Sequence, residues 1–213
     1  GTSANATGVD AEISETAFNY SYTDRINVGL VYGPGQQHGY GTNSTIMGIL
    51  NDWYSSNLAN YEAGYINTGT GFCSDRNLAS GYNWNDKGFD YAPYDRMNGN
   101  ASLQCNSEDI LSKDNGKLTN PIGLVTSDEA VLTGITRGSA NAGSYLYTGE
   151  HYWTMSPASV SSGSWAYVFY ITESGYLNSS EVRLMIGVRP VINLRADVAL
   201  TGSGTTSDPY VVA

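Results

Sequence analysis

The chain has 213 residues, a net charge of −10 and only 14% charged residues, together with 25 glycines and 17 tyrosines. This length allows one sizeable core, and the composition favours many short strands and turns over long helices. A chain this acidic has no basic surface for nucleic acid, and an anionic membrane would repel it. Because no run of 18 apolar residues occurs, we expect no segment that spans a bilayer.

The first residues, 1–16, are small and polar, and we expect them to form a flexible N-terminal segment or an edge. A single globular domain is predicted over 17–213. Position 1 is expected either to follow a removed signal peptide or to lie inside a longer chain. The first apolar run, residues 25–32, predicts a strand that ends at Gly33 and Pro34.

Two segments predict helices. Asn43 or Ser44 can cap the first helix. Its apolar residues follow the i, i+3, i+4, i+7 spacing of one helical face, namely Ile46, Ile49, Leu50 and Trp53. The second helix is predicted to begin at the capping-box sequence of residues 126–129 and to continue through Leu132. A short helical turn is also expected at residues 107–111.

Short strands are predicted in the second half of the chain, with Glu173–Gly175 as a hairpin turn. Their ranges are 121–125, 152–155, 165–172, 175–178 and 188–194. Residues 58–100 are rich in Gly, Asn and Tyr and are expected to form long loops. Two helices, short antiparallel strands and long irregular loops together predict an α+β fold.

Cys73 and Cys105 are the only cysteines. In an acidic chain rich in Tyr, Ser, Asn and Gly, we interpret them as one disulfide. It would close a loop of about thirty residues and contribute roughly 3–4 kcal/mol to stability. The alternative is a pair of separate buried thiols.

The usual enzyme signatures are missing from the sequence. There is no Walker A motif, no Gly-x-Ser-x-Gly sequence and no His-Glu-x-x-His sequence. A sequence that starts at Gly33 lacks the third glycine of the dinucleotide fingerprint and has His38 there instead. We therefore predict that the protein is not an enzyme and uses no cofactor.

Residues 83–88 superficially resemble a calcium-binding loop. Lys87 would place a cation where a ligand oxygen is needed, and Tyr94 stands where the loop requires a bidentate glutamate. Solvated loop carboxylates are the favoured interpretation. An irregular Ca²⁺ site that uses Asp86, Asp90 or Asp95 is the alternative.

Arg189 lies between Val188 and Pro190 in an apolar run. A half-buried guanidinium needs hydrogen-bond partners. We predict that Arg189 is a structural anchor, bonded to loop carbonyls or to a carboxylate such as Asp128 or Glu129.

In the segment 151–194, the residues between two apolar ends are rich in Ser, Tyr, Asn, Gly and Trp and carry few charges. Such a composition is typical of binding surfaces, because aromatic side chains supply contact area and small polar ones supply adaptable hydrogen bonds. We predict a binding surface over residues 159–181, with Ser159, Ser161, Ser162, Trp165, Tyr167, Tyr170, Tyr176 and Asn178 as its ligand-binding residues. Strand alternation prevents all of them from facing outward. The competing interpretation places Trp165 and Tyr167 in the core.

Several segments of the chain resemble a widespread family of exported domains from Gram-positive bacteria. They are residues 121–129, 145–157, 166–177, 187–194 and 202–211. Many members follow a prepilin-type helix, so they resemble type IV pilins or pseudopilins. The block from Trp153 to Pro190 is also similar to the C-terminal half of a C-type-lectin-like fold. Formylglycine-generating enzymes and the variable proteins of diversity-generating retroelements share that version of the fold.

The resemblance implies a C-type-lectin-like fold in an extracellular module on a bacterial surface or pilus. Its function would be that of an adhesin, binding a protein or glycan on a host or neighbouring cell. The alternative is a structural pilin head that packs against other pilin subunits. No prepilin helix occurs in this sequence, and no cysteine follows Cys105, which argues against formylglycine-generating activity.

Overall fold

A computed structural model of the chain describes residues 11–23, 25–205 and 208–213. This part of the protein is a mixed α+β structure with few helices and many short strands. Within it, no helix is both long enough and apolar enough to cross a membrane.

The helices are short apart from the first. They are α1 (Thr45–Asn57), α2 (Glu62–Tyr65), α3 (Pro93–Arg96) and α4 (Ser127–Leu132), with a 3₁₀ turn over Ala59–Tyr61. Helix α1 begins after Ser44, whose hydroxyl accepts a hydrogen bond from the Met47 N–H at 3.3 Å. The buried face of α1 consists of Ile46, Met47, Leu50 and Tyr54. Its predicted start and its apolar face are confirmed, with Ile49 and Trp53 half-buried at the margin of that face.

Helix α4 begins with a reciprocal capping box, as the sequence predicts. The Thr126 hydroxyl accepts from the Glu129 N–H at 3.1 Å, and the Glu129 carboxylate accepts from the Thr126 N–H at 2.7 Å. Two otherwise unpaired N–H groups are thereby satisfied, so a helix of only six residues is held in place.

One sheet of six strands organises the molecule. Its strands are β1 (Ser14–Thr16), β5 (Phe89–Asp90), β8 (Tyr152–Val160), β9 (Ala166–Ile171), β10 (Leu177–Glu181) and β11 (Ile186–Val188). The order is β1-β11-β8-β9-β10, and β5 pairs with the end of β8. The β11–β8 pair is parallel, whereas the other pairs are antiparallel. The hairpin turn between β9 and β10 contains Gly175 at a φ of 75°.

The described residues also form four two-stranded ladders. They pair β2 (Val31–Tyr32) with β3 (Thr42–Asn43), β4 (Phe72–Cys73) with β6 (Ile110–Leu111), β7 (Gly123–Leu124) with β12 (Pro190–Val191), and β13 (Leu200–Thr201) with β14 (Val211–Val212).

Both faces of the six-stranded sheet are covered by apolar side chains. On the first face, Trp153 and Val168 pack in one cluster with residues of α1. Trp153 is fully buried and meets Phe18 edge-to-face, with 5.8 Å between ring centroids. On the second face, Phe169 and Ile171 pack with residues of α4. Because neighbouring residues of a strand point to opposite faces, β9 serves both clusters.

A disulfide between Cys73 and Cys105 is present, which confirms the predicted pairing. It connects strand β4 to the irregular segment that precedes β6. The bond closes a sequence separation of 32 residues.

Two sequence predictions require correction. Residues 25–30 form turns, and the strand is limited to Val31–Tyr32, because buried Ile26 and Leu30 reach the core without strand pairing. The expected helical turn at 107–111 is a turn at 107–109 that leads into β6. For residues 1–16, a flexible segment or an edge was expected, and residues 14–16 pair with β11 at the edge of the sheet. Residues 1–10 of that segment lie outside the described chain.

Candidate functional site

The eight predicted ligand-binding residues lie at several places around the β8–β9–β10 sheet. Tyr167 packs against the second core cluster, whereas Tyr170 packs against the first. Ser161 and Ser162 belong to the turn between β8 and β9, and Tyr176 lies beyond the opposite turn, just before β10. These residues therefore do not form one continuous surface.

Tyr170 and Asn178 are held in contacts with the protein itself. The Tyr170 ring meets the rings of Trp153 and His151 edge-to-face, at centroid distances of 6.2 and 5.5 Å. Its hydroxyl accepts a hydrogen bond from the Asn178 side-chain amide at 3.2 Å. Burial raises the pKa of Tyr170. Both side chains consequently support the sheet on its first face.

A row of polar side chains crosses four strands on the second face. The register opposes Glu181 to Tyr167, Tyr167 to Ser159, and Ser159 to Asp90. Directly opposed residues point to the same face of a sheet, and neighbouring strands lie about 4.8 Å apart. All four side chains are partly exposed. The strands β10, β9, β8 and β5 thus present one polar row about 14 Å long.

Hydrogen bonds hold both ends of this row. At one end, the Tyr82 hydroxyl donates to the Asp90 carboxylate at 3.1 Å. Burial raises the pKa of Asp90, while the Asp90 charge raises the pKa of Tyr82. At the other end, burial and the Glu181 carboxylate raise the pKa of Tyr167. Both phenols therefore stay protonated at neutral pH and remain hydrogen-bond donors.

Arg183 joins the row to a pair of aromatic rings. Its Nε donates to the Glu181 carboxylate at 2.7 Å. Its guanidinium lies 4.7 Å from the Tyr22 ring centroid and 5.0 Å from that of Trp165. Trp165 keeps 38% of its surface exposed, so its ring remains accessible beside the cation.

The turn that carries Trp165 is ordered by its own hydrogen bonds. The Ser161 hydroxyl accepts from the Trp165 N–H at 3.2 Å, and the Ser161 N–H donates to the Trp165 carbonyl at 2.9 Å. Ser164 has a φ of 67°. Among the residues that the structure describes, no other residue except glycine has a positive φ. A left-handed residue is uncommon outside glycine and concentrates at functional sites.

We call the combined patch the end-of-sheet surface. It consists of Asp90, Ser159, Trp165, Tyr167, Glu181 and Arg183. The sequence predicted Ser159, Trp165 and Tyr167 as binding residues. Glu181 was only the end of the predicted surface, Asp90 was predicted only as an alternative Ca²⁺ ligand, and Arg183 was not predicted. Counting the hairpin register outward from the Glu173–Gly175 turn would have placed Glu181 opposite Tyr167. No local signal could have placed Asp90 there, because it comes from a strand about seventy residues earlier.

The carboxylates considered for an irregular Ca²⁺ site bond to nearby protein donors. Asp86 accepts from the Asn83 N–H at 2.8 Å, and Asp95 accepts from the Ser80 N–H at 2.8 Å. Asp90 belongs to the end-of-sheet surface. In residues 11–23, 25–205 and 208–213, no cluster of three His, Cys, Asp or Glu side chains is arranged to hold a metal ion.

Arg189 is half-buried and bonds to a loop carbonyl. Its Nη1 donates to the Leu146 carbonyl at 2.9 Å and to the Tyr152 hydroxyl at 3.4 Å. The guanidinium also lies 5.4 Å from the Tyr152 ring centroid. A loop carbonyl or a carboxylate was predicted as the partner of Arg189, and the hydrogen bond goes to a loop carbonyl. The Asp128 carboxylate bonds instead to Arg96, at 2.7 Å.

A separate cleft adjoins the disulfide. Its volume is about 260 Å³, and its lining includes Cys73, Cys105, Asp75, Arg96 and Asp128. Arg96 donates to both carboxylates, at 2.8 Å to Asp75 and 2.7 Å to Asp128. These bonds raise the pKa of Arg96 against the opposing effect of its burial.

Comparisons of the chain with protein-family models, with curated proteins and with solved structures give no match.

Proposed function

We propose that the protein is an extracellular ligand-binding module, an adhesin displayed on a bacterial surface or pilus. It binds a protein or a glycan through the end-of-sheet surface. One observation carries this proposal: four strands in register place polar side chains in a single row that continues through Arg183 to the accessible Trp165 ring.

The chemistry of this surface suits recognition of a polar, uncharged partner. Glu181 is paired with Arg183, and Asp90 accepts a hydrogen bond from Tyr82. Arg183 thereby offsets one of the two carboxylate charges, while oxygen acceptors and phenol donors remain at the surface. Aromatic and arginine side chains beside such groups are typical of binding hot spots. Trp165 is the proposed hot spot.

The rigidity of the site also favours binding. Most of its members stand on strands whose backbones are fixed by ladder hydrogen bonds. A site that is ordered before binding loses less conformational entropy when its partner arrives. The Trp165 turn is fixed by its two hydrogen bonds to Ser161.

The proposed location and architecture have separate support. A disulfide is favoured by oxidising compartments outside the cytosol. The antiparallel β8–β9–β10 unit between α1 and α4 is compatible with a C-type-lectin-like arrangement. We propose binding in place of catalysis because the surface gathers paired charges and aromatic rings.

A structural pilin or pseudopilin head is the second candidate. Large apolar and aromatic side chains stand exposed away from the end-of-sheet surface, among them Tyr20 at 63%, Leu103 at 72% and Tyr145 at 79%. In a filament, such side chains would pack against neighbouring subunits.

A binding screen tests the first proposal. The purified protein is applied to glycan and extracellular-protein arrays, and each hit is repeated with Trp165→Ala. We expect the variant to lose binding while its melting temperature stays within a few degrees of the wild type. Tyr61→Ala is the matched control, because Tyr61 is an exposed aromatic residue on a different element.

Two results would contradict the proposal. One is a set of array hits that Trp165→Ala and Glu181→Gln leave unchanged. The other is a protein that retains no ligand and assembles into helical arrays, which would favour the pilin head. If Trp165→Ala unfolds the protein, Glu181→Gln and Arg183→Ala provide the same test. The Arg183 side chain is exposed and that of Glu181 is half-buried.

A further inference from the structure

The cleft beside the disulfide continues into a second depression. The second has a volume of about 410 Å³ and is lined by Leu132, Tyr145 and neighbouring residues of the 143–145 loop. Leu103 and Glu129 line both depressions. Together the two form one groove between residues 102–105 and helix α4, which we call the disulfide groove.

The disulfide groove is bordered by large apolar side chains that face solvent. Leu103 is 72% exposed, Leu132 is 59% exposed and Tyr145 is 79% exposed. Single exposed apolar residues are common, but several around one depression mark an interaction site. Leu132 is the last residue of α4, so its position is fixed by the helix.

The segment that carries Leu103 is fastened on both sides. The Ser102 N–H donates to the Asp128 carboxylate at 2.8 Å. Cys105 is bonded to Cys73. Leu103 is therefore exposed on a backbone anchored within two residues in each direction. Such an ordered segment loses little conformational entropy when a partner binds.

The groove is acidic. The first depression contains three carboxylates, from Asp75, Asp128 and Glu129, against the single guanidinium of Arg96. Glu129 is exposed at the junction of the two depressions. The whole chain has a net charge of −10, so a basic partner is attracted by both the groove and the protein.

We propose that the disulfide groove docks a short extended segment of another protein, in which an apolar side chain adjoins a lysine or arginine. The apolar side chain packs among Leu103, Leu132 and Tyr145, and the cation lies beside Glu129. Depressions of this size accept a few side chains, which suits a peptide segment better than a folded surface. A second copy of this acidic chain would be repelled by its own net charge.

The test uses two synthetic peptides, Ac-Gly-Leu-Lys-Leu-Lys-Gly-NH₂ and the same sequence with Glu in place of Lys. Each is titrated into the ¹⁵N-labelled protein at low ionic strength. We expect saturable amide shifts within residues 101–106, 127–133 and 143–146 with the basic peptide only. Salt should weaken this binding, because opposite charges are screened.

Variants connect the shifts to the groove. Leu132→Ser combined with Tyr145→Ser should raise the Kd roughly tenfold or more, since exposed apolar anchors dominate such contacts. Glu129→Gln should weaken binding of the basic peptide. The variant should preserve helix α4, because glutamine also serves in a capping box. Tyr61→Ser and Tyr210→Ser are matched controls at exposed tyrosines elsewhere. Melting temperatures close to the wild type establish that each variant is folded.

Three outcomes would overturn the proposal. The first is the lack of any saturable shift with the basic peptide, and the second is equal binding of the two peptides. The third is a concentration-dependent dimer in sedimentation that the Leu132→Ser, Tyr145→Ser variant abolishes, since a second copy would then occupy the groove.

Discussion

The end-of-sheet surface and the disulfide groove are rigid for different reasons. Most residues of the first lie on four strands in register, so ladder hydrogen bonds fix the backbone that carries them. The second stands on an irregular segment and a six-residue helix, so a disulfide and a capping box fix it. Cross-links replace regular secondary structure where the chain is rich in loops.

The two surfaces also differ in charge. In the end-of-sheet surface, Glu181 is paired with Arg183 at 2.7 Å. In the disulfide groove, Arg96 bonds to Asp75 and Asp128, and Glu129 adds a third carboxylate that Arg96 does not bond to in this structure. We therefore expect binding at the groove to depend more strongly on salt than binding at the end-of-sheet surface.

Removal of the disulfide is expected to have the largest effect. The double variant Cys73→Ser, Cys105→Ser should lose roughly 3–4 kcal/mol of unfolding free energy, because the unfolded chain regains the entropy of a loop of about thirty residues. Denaturant unfolding measures this loss. Amide exchange should increase in residues 102–106 more than in β8–β10. Equal increases in amide exchange in both regions would contradict the proposal that the disulfide fixes the groove while ladder hydrogen bonds fix the sheet.

Replacement of Arg189 should cost less. Arg189→Ala removes a charge-assisted hydrogen bond to the Leu146 carbonyl, and such bonds contribute about 1.5–3 kcal/mol. The melting temperature should fall by several degrees, while the end-of-sheet surface keeps its ligand. A variant that melts like the wild type yet fails to bind would instead give Arg189 a ligand-binding role.

A smaller change is expected from Arg183. Arg183→Ala removes the contacts with Tyr22 and Trp165 together with an exposed ion pair, and the expected loss is about 1 kcal/mol. Binding at the end-of-sheet surface should weaken much more than stability. Arg195→Ala, which breaks a different exposed ion pair, is the control and should alter neither surface.

The last prediction concerns Glu12, which lies near the β1 edge of the sheet, and it depends on pH. Burial, with the charges of Glu150 and Glu15, raises the pKa of Glu12 from 4.5 to about 7, although Arg189 opposes this. A carboxyl with a raised folded-state pKa favours protonation in the folded state, so its contribution to stability is lost as the pH rises from about 4.5 to about 7. Glu12→Gln should reduce this loss. Unfolding free energies of both proteins at pH 4, 5.5 and 8 measure the difference, and parallel pH profiles would contradict it.

Local sequence patterns were most informative where neighbouring residues determine structure. The Ser44 cap and the spacing of Ile46 and Leu50 predict α1 because helical contacts recur within four residues. The sequence 126–129 predicts the start of α4 for the same reason. The Glu173–Gly175 turn predicts the hairpin, since a tight turn fixes the register of the strands it joins.

An apolar run in the sequence was misleading where buried side chains do not belong to a paired strand. Residues 25–30 are as apolar as a strand, but the Gly29 N–H closes a turn onto the Ile26 carbonyl at 3.3 Å. Their apolar side chains enter the core from that turn. Composition also suggested one binding surface over 159–181, whereas alternation along β9 sends Tyr167 and Tyr170 to opposite faces.

The sequence by itself determined the two principal helices, the hairpin and the pairing of its only two cysteines. Tertiary structure alone decided which side chains share a surface. Asp90 lies opposite Ser159 through the β5–β8 pair, and Leu103 and Leu132 line the same depression because a disulfide and the Ser102–Asp128 hydrogen bond hold the segment of Leu103. The physical reason is that helix caps and turns depend on contacts within a few residues, whereas the pairing of distant strands depends on the packing of the whole core.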